Sequence, residues 1–150
     1  MGSLTEARTP SLPALAALVA AGAALGTLLR AGLGQAFPHG PGEWPWATFA
    51  INLVGSFVLA ALLETLAHSG PDAGRRRGVR LGAGTGVIGG FTTYSTYVVE
   101  IDRLVQSGHG MLGAAYALLS VAAGLAAAGA GLGLAASAAR RRRARSEATR

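Results

Sequence analysis

Four long apolar blocks, residues 14–36, 46–67, 79–99 and 111–139, dominate this chain, and the charges inside them are confined to Arg30, Glu64 and Arg80. A helix needs about 20 mostly apolar residues to cross the hydrocarbon core of a bilayer. Each block meets that length, so the sequence predicts an all-α integral membrane protein of four transmembrane helices. Only 13% of residues are charged and 51% are apolar, a balance that a soluble domain of this size rarely shows. No segment alternates with a period of two, which excludes a β-barrel. The first block begins like a secretion signal, but it runs past the usual apolar core and carries Arg30 near its end, so it is expected to stay as a mature span. The expected organisation is a cytoplasmic N-terminal tail over 1–13, a four-helix transmembrane domain over 14–139, and an Arg-rich cytoplasmic tail over 140–150.

Arginine supplies all 13 positive side chains, and their placement sets the expected orientation. With the N-terminus inside, Arg8, the cluster Arg75, Arg76, Arg77 and Arg80, and the six arginines from Arg140 to Arg150 all face the cytoplasm, while only Arg103 falls in an outer loop. The positive-inside rule therefore puts both termini of a multi-pass membrane protein in the cytoplasm. Trp44 and Trp46 open the second block, at the depth that amphipathic rings favour. The net charge of +6 then reflects topology and contact with the lipid bilayer, and no nucleic acid is expected as a partner. Cysteine is absent, and His39, His68 and His109 lack the spacing of a metal-ligand pair. The run from Gly84 to Gly89 matches the dinucleotide fingerprint G-x-G-x-x-G, which has meaning only between a strand and a helix of a soluble βαβ unit. Neither is expected here.

Small residues recur four apart at Gly22 and Gly26, at Gly82, Gly86 and Gly90, and at Gly129 and Gly133, which allows close helix approach in lipid. The third block then departs from helical chemistry. Gly89 and Gly90 each weaken a helix by about 1 kcal/mol relative to alanine, and Thr92, Thr93, Ser95 and Thr96 offer hydroxyls that compete for backbone bonds. A break near Gly89–Thr93 is predicted. At membrane depth such a break persists only where it is buried in protein or lines a wet cavity, and its freed carbonyls can hold a hard cation. The alternative is a flexible kink satisfied by neighbouring hydroxyls.

Polar residues elsewhere fall on helical faces: Thr48, Asn52 and Ser56 in the second block, Tyr116 and Ser120 in the fourth. Their donors can replace water around an anion, or can serve as glue between helices. Together with the break and with Arg30, the fixed positive charge in the outer half of a span, they favour a path for small anions. Glu100, near Asp102 at the end of the third block, admits two readings, a proton relay or a solvated or Arg-paired group, and its place near the interface favours the second.

The run Gly89-Gly90-Phe91-Thr92-Thr93-Tyr94-Ser95-Thr96-Tyr97, with Asn52-Leu53-Val54-Gly55-Ser56-Phe57 before it and Arg30 in the first block, resembles the CrcB family of fluoride channels, also called Fluc. The resemblance extends over about residues 14–136. It implies antiparallel dimers with two fluoride pathways that lower cytoplasmic fluoride by passive export across the plasma membrane of a bacterium. It further implies a structural sodium ion at the dimer centre, held by backbone carbonyls that correspond to Gly89 and Thr92. Pathway positions of the family correspond to Asn52, Tyr94, Tyr97, Tyr116 and Ser120, with Thr48, Ser95, Arg30 and Glu100 grouped near them. A selective pore must replace the water around this small, strongly hydrated ion without holding it too tightly. The aromatic pair departs from the family, which commonly has phenylalanine at both places. The one-sided arginines depart too, because an antiparallel homodimer needs insertion both ways. A heterodimer with an oppositely oriented paralogue is therefore expected beside the homodimer. Two rival classes stay open: a small proton-coupled exporter of the multidrug type, whose carboxylate belongs in the first span where none lies, and a non-transporting scaffold subunit.

Overall fold

The computed structural model of the chain describes residues 11–149. Arg8 and Arg150 of the inward-facing set, and most of the expected N-terminal tail, lie outside the described residues. Helix α1 spans Leu12–Ala36 with proline in its first turn, where a missing N–H costs nothing. Pro38 then follows the helix end and blocks its continuation. Helix α2 spans Trp46–Ala67, entered from Pro45 and left through Gly70, whose φ of +117° suits only glycine. A short helix α3, Gly74–Val79, runs without interruption into a π-helical segment, Arg80–Ile88, and on into α4, Gly89–Phe91. Helix α5 covers Ser95–Gln106, and α6 covers Gly110–Ala148. No strand occurs among the described residues.

Three of these helices, α1, α2 and α6, are long and apolar enough to cross a membrane. The third apolar block does not form one such helix, because it is divided at Thr92–Tyr94 into the run ending at Phe91 and the separate α5. At about 1.5 Å per residue, the 39 residues of α6 are nearly twice the length a bilayer core requires. The arginines Arg140 to Arg145 are thus carried on a helix continuous with the fourth apolar block.

Side-chain burial is inverted relative to a water-soluble fold. Among the described residues the buried large apolar side chains are few, namely Leu15, Ile51, Ile88, Leu104 and Tyr116, while Leu118 and Leu125 are more than 70% exposed. Such surfaces are stable when lipid or another apolar surface covers them. Helix α2 packs along α6, α1 packs along the π segment, and α5 lies against α6.

The close approach of α1 to the π segment depends on backbone without side chains. A Cβ at Gly22 would lie 2.5 Å from Gly82 O, and one at Gly86 would lie 2.9 Å from Val19 O. Gly90 faces Ala23 in the same way. The i→i+5 winding of a π-helix widens each turn, and it keeps Gly82, Gly86 and Gly90 all against α1 while Gly84 faces Leu59 and Leu62 of α2. The small-residue spacing at Gly129 and Gly133 meets nothing within 4 Å in this chain. The α6 glycine in tightest contact with α2 is Gly131, which sits against Phe57 and Ala61.

Candidate functional site

The helix does not part at its glycines. Gly89 and Gly90 stay helical, and the chain turns to extended backbone at Thr92, φ −75° and ψ 158°. Two bonds mark the end of the first half: the Thr92 N–H and the Thr92 hydroxyl both donate to Ile88 O, each at 3.0 Å. The next residue is clamped from α2. Asn52 Nδ2 donates to Thr93 O at 2.8 Å, and the Thr93 N–H donates to Asn52 Oδ1 at 2.8 Å. Thr93 Oγ1 then accepts the Thr96 N–H at 3.2 Å, so this side chain caps the start of α5. Ser95 is exposed, its hydroxyl 3.3 Å from that of Thr93.

One amide side chain thus replaces the pair of backbone bonds lost at Thr93. Gly90 O, at the end of the first half, accepts from Arg30 Nε at 3.3 Å and from the Thr27 hydroxyl at 3.5 Å. A guanidinium there opposes the partial negative charge of a helix C-terminus. Arg30 lies on the α1 side of the break and does not line the groove described next. Gly89 O and Thr92 O have no hydrogen-bond donor among the described residues.

A groove of about 450 Å³ opens beside the break, between α2, α5 and α6. It is lined by Asn52 and Ser56 from α2, by Gly89, Thr92 and Thr93 at the break, by Tyr94 and Tyr97, and by Ser120 from α6. Ser120 Oγ is buried with no hydrogen-bond partner, an orphan that in a low-dielectric setting costs about 1–3 kcal/mol until something pairs with it. Asn52 retains the second N–H of its amide, since one is spent on Thr93 O. With the Ser56 hydroxyl, these are donors the groove can offer.

The remaining polar residues of the two stripes serve a different centre. Glu100 is 5% exposed and takes two short hydrogen bonds, from Thr48 Oγ1 at 2.6 Å and from the Tyr116 hydroxyl at 2.7 Å. The expectation of a solvated or Arg-paired carboxylate is therefore corrected. Helix α5 turns Glu100 and Leu104 inward together, which seats the acid between α2 and α6 with no basic group bonded to it among the described residues. Hydroxyl donors to a carboxylate form charge-assisted bonds of roughly twice the neutral strength.

A row of rings joins the two centres. Tyr94 and Tyr97 lie 5.9 Å apart, Tyr97 and Tyr116 5.4 Å, and Trp44 meets Tyr116 edge-on at 5.2 Å. The Tyr97 hydroxyl donates to Ala117 O at 2.8 Å and is thereby turned away from the groove, whereas Tyr94 is 77% exposed. The nine expected pathway residues thus separate into a groove set (Asn52, Tyr94, Tyr97 and Ser120), a buried set (Thr48, Tyr116 and Glu100), exposed Ser95 and the helix-end cation Arg30. Sequence reading missed the capping by Thr93 and the part of Trp44. The Thr-x-x-Thr spacing at the start of α5 is the signal that marks the cap.

As a metal centre the break offers carbonyls alone. No group of three or more His, Asp or Glu side chains that could hold a metal occurs among the described residues. Gly89 O and Thr92 O, free of protein donors among the described residues, are of the kind that a hard cation takes as ligands.

A family model described as CrcB-like protein, Camphor Resistance (CrcB), matches residues 17–132. The chain is 56% identical over 112 residues to the protein named Fluoride-specific ion channel FluC 1 of Cutibacterium acnes, covering 75% of this chain and 78% of that one. It is 52% identical over 110 residues to Fluoride-specific ion channel FluC 2 of Leifsonia xyli subsp. xyli, covering 73% and 75%. It is 41% identical over 111 residues to Fluoride-specific ion channel FluC 1 of Mycobacterium tuberculosis, covering 74% and 82%.

Proposed function

This chain belongs to the CrcB-like protein family, and from that premise we propose that it is a subunit of a fluoride-selective channel that lets cytoplasmic fluoride leave the cell passively. The observation that carries the proposal is the groove, where Ser120 Oγ lies buried without a partner beside the free N–H of Asn52. Fluoride gives up hydration only to close donors. Ser120, Ser56 and Asn52 provide them on two helices, and the positive edges of Tyr94 and Tyr97 add a weaker attraction. A channel of this kind carries out no covalent chemistry and is not an enzyme.

The broken run from Gly74 to Gln106 acts in this reading as a fourth transmembrane segment. Its opening is lined by protein on one side only, and exposed Tyr94 supports closure by a second subunit. The second subunit is placed antiparallel, either another copy of this chain or an oppositely oriented paralogue. The arginine bias supports the paralogue, because a chain with this bias inserts one way. A structural sodium ion between the subunits is part of the same proposal. Gly89 O and Thr92 O would hold it, and it would supply positive charge at the centre of the pair.

Loss of the gene tests the function in cells. Sensitivity to fluoride should rise, with tolerance of organic cations unchanged, and the chain with its native partner should restore tolerance. Sensitivity to organic cations would favour the multidrug-type exporter, and no change would favour a scaffold. The buried acid Glu100 supports one further reading, proton-linked fluoride movement; flux that follows a pH gradient at equal fluoride on both sides would establish it.

A further inference from the structure

A second groove, of about 550 Å³, runs between α1 and the π segment on the side away from the first. Leu18 and Leu25 of α1 and Val79 and Val87 of the other strand of helix line it, over a base where Gly22 and Gly82 bring the backbones together. Leu18, Leu25 and Val79 are each between 42% and 51% exposed. Its lining is apolar except at the end where Arg75 joins it.

No ion pair among the described residues neutralises the charge at that end. Asp72 is held by Arg80 at 2.7 Å, and that contact keeps its carboxyl below the ordinary aspartate range. The other ion pair among the described residues joins His68 to Glu64, so Arg75 has no carboxylate partner among them.

We propose that this groove is a binding site for an anionic phospholipid, with the phosphate on Arg75 and one acyl chain lying against Leu18, Leu25 and Val87. An apolar channel with one cationic end matches the two-part chemistry of such a lipid. A zwitterionic lipid would fill the channel equally well but would leave the Arg75 guanidinium without net compensation. Basic sites between helices at the membrane surface select acidic headgroups on this ground, by roughly fivefold for each arginine engaged. The apolar groove lined by Phe37, Trp46 and Phe91 has no charged group and is assigned no occupant. The proposal rests only on residence in a membrane and stands apart from what the first groove conducts.

The test uses the purified full chain in detergent, titrated with dioleoyl phosphatidylglycerol or with dioleoyl phosphatidylcholine, and follows retained lipid by native mass spectrometry together with Tm. Phosphatidylglycerol should be retained in preference, by fivefold or more, and should raise Tm. Arg75→Gln removes the headgroup contact, and Ala21→Leu narrows the groove from an exposed position. Each should abolish most of the preference while leaving the oligomer mass unchanged. Equal retention of the two lipids would overturn the proposal, as would a preference undiminished in both variants. A change of oligomer mass in Ala21→Leu would overturn it as well, because the groove would then be an interface between copies.

Discussion

Replacing Asn52 should damage the channel in two separable ways. Its amide makes both bonds that hold Thr93, each 2.8 Å long, so Asn52→Ala leaves one N–H and one carbonyl unpaired at the break. An unsatisfied buried polar group costs about 1–3 kcal/mol, giving a loss of about 2–6 kcal/mol in stability at the site. Asn52→Asp behaves differently. It still accepts the Thr93 N–H, but it sets a carboxylate oxygen against Thr93 O and places a negative charge beside the groove. At about 4 Å and an effective dielectric near 20, that charge opposes a passing anion by about 4 kcal/mol, close to a thousandfold in rate. Thermal unfolding of the purified variants and fluoride efflux from membrane vesicles separate the effects. The alanine variant should show the larger fall in Tm, and the aspartate variant should show flux too low to measure. Wild-type flux in Asn52→Asp, or an unchanged Tm in Asn52→Ala, would refute the reasoning.

Tyr97→Phe removes a hydroxyl that serves Ala117 O and not the groove, so Tm should fall by the equivalent of about 1 kcal/mol while fluoride flux stays within about threefold; a loss of flux beyond tenfold would place that hydroxyl in the path. Glu100→Gln cannot accept from both Thr48 and Tyr116 as the carboxylate does, and it should lower stability by about 1–3 kcal/mol in denaturant unfolding, with Thr48→Val in the same background adding little. Gly86→Leu would drive a side chain into Val19 O and Gly22, and overpacking of about 1–3 kcal/mol or more should leave little folded protein by size-exclusion chromatography.

Helix α2 has the bounds its apolar block predicts, and α1 begins within two residues of them, because prolines at positions 13, 38, 45 and 71 punctuate long apolar runs. The break was legible as a region but not as a position. Glycine weakens a helix without ending it, and the chain parts where Thr92 and Thr93 find other partners, the second of them 41 residues away on α2. The π winding left no mark beyond its glycines, since i→i+5 bonding requires no particular side chain. For Glu100 the difficulty was distance in sequence. Its donors come from positions 52 and 16 residues away, and a residue near the end of a span reads as solvated until the crossing of α2, α5 and α6 is known. The stripe Thr48, Asn52, Ser56 was correctly placed on one helical face. That face serves two centres, since Thr48 faces the buried acid and the other two face the groove.

Anion efflux from membrane vesicles prepared from the protein's own cells, with and without the gene, tests the central claim most directly. Vesicles loaded with fluoride should discharge it rapidly only when the chain is present, and vesicles loaded with chloride should retain it in both cases. Equal discharge of the two anions, or fluoride discharge that does not depend on the chain, would contradict the assignment of the groove beside the broken helix as a fluoride path.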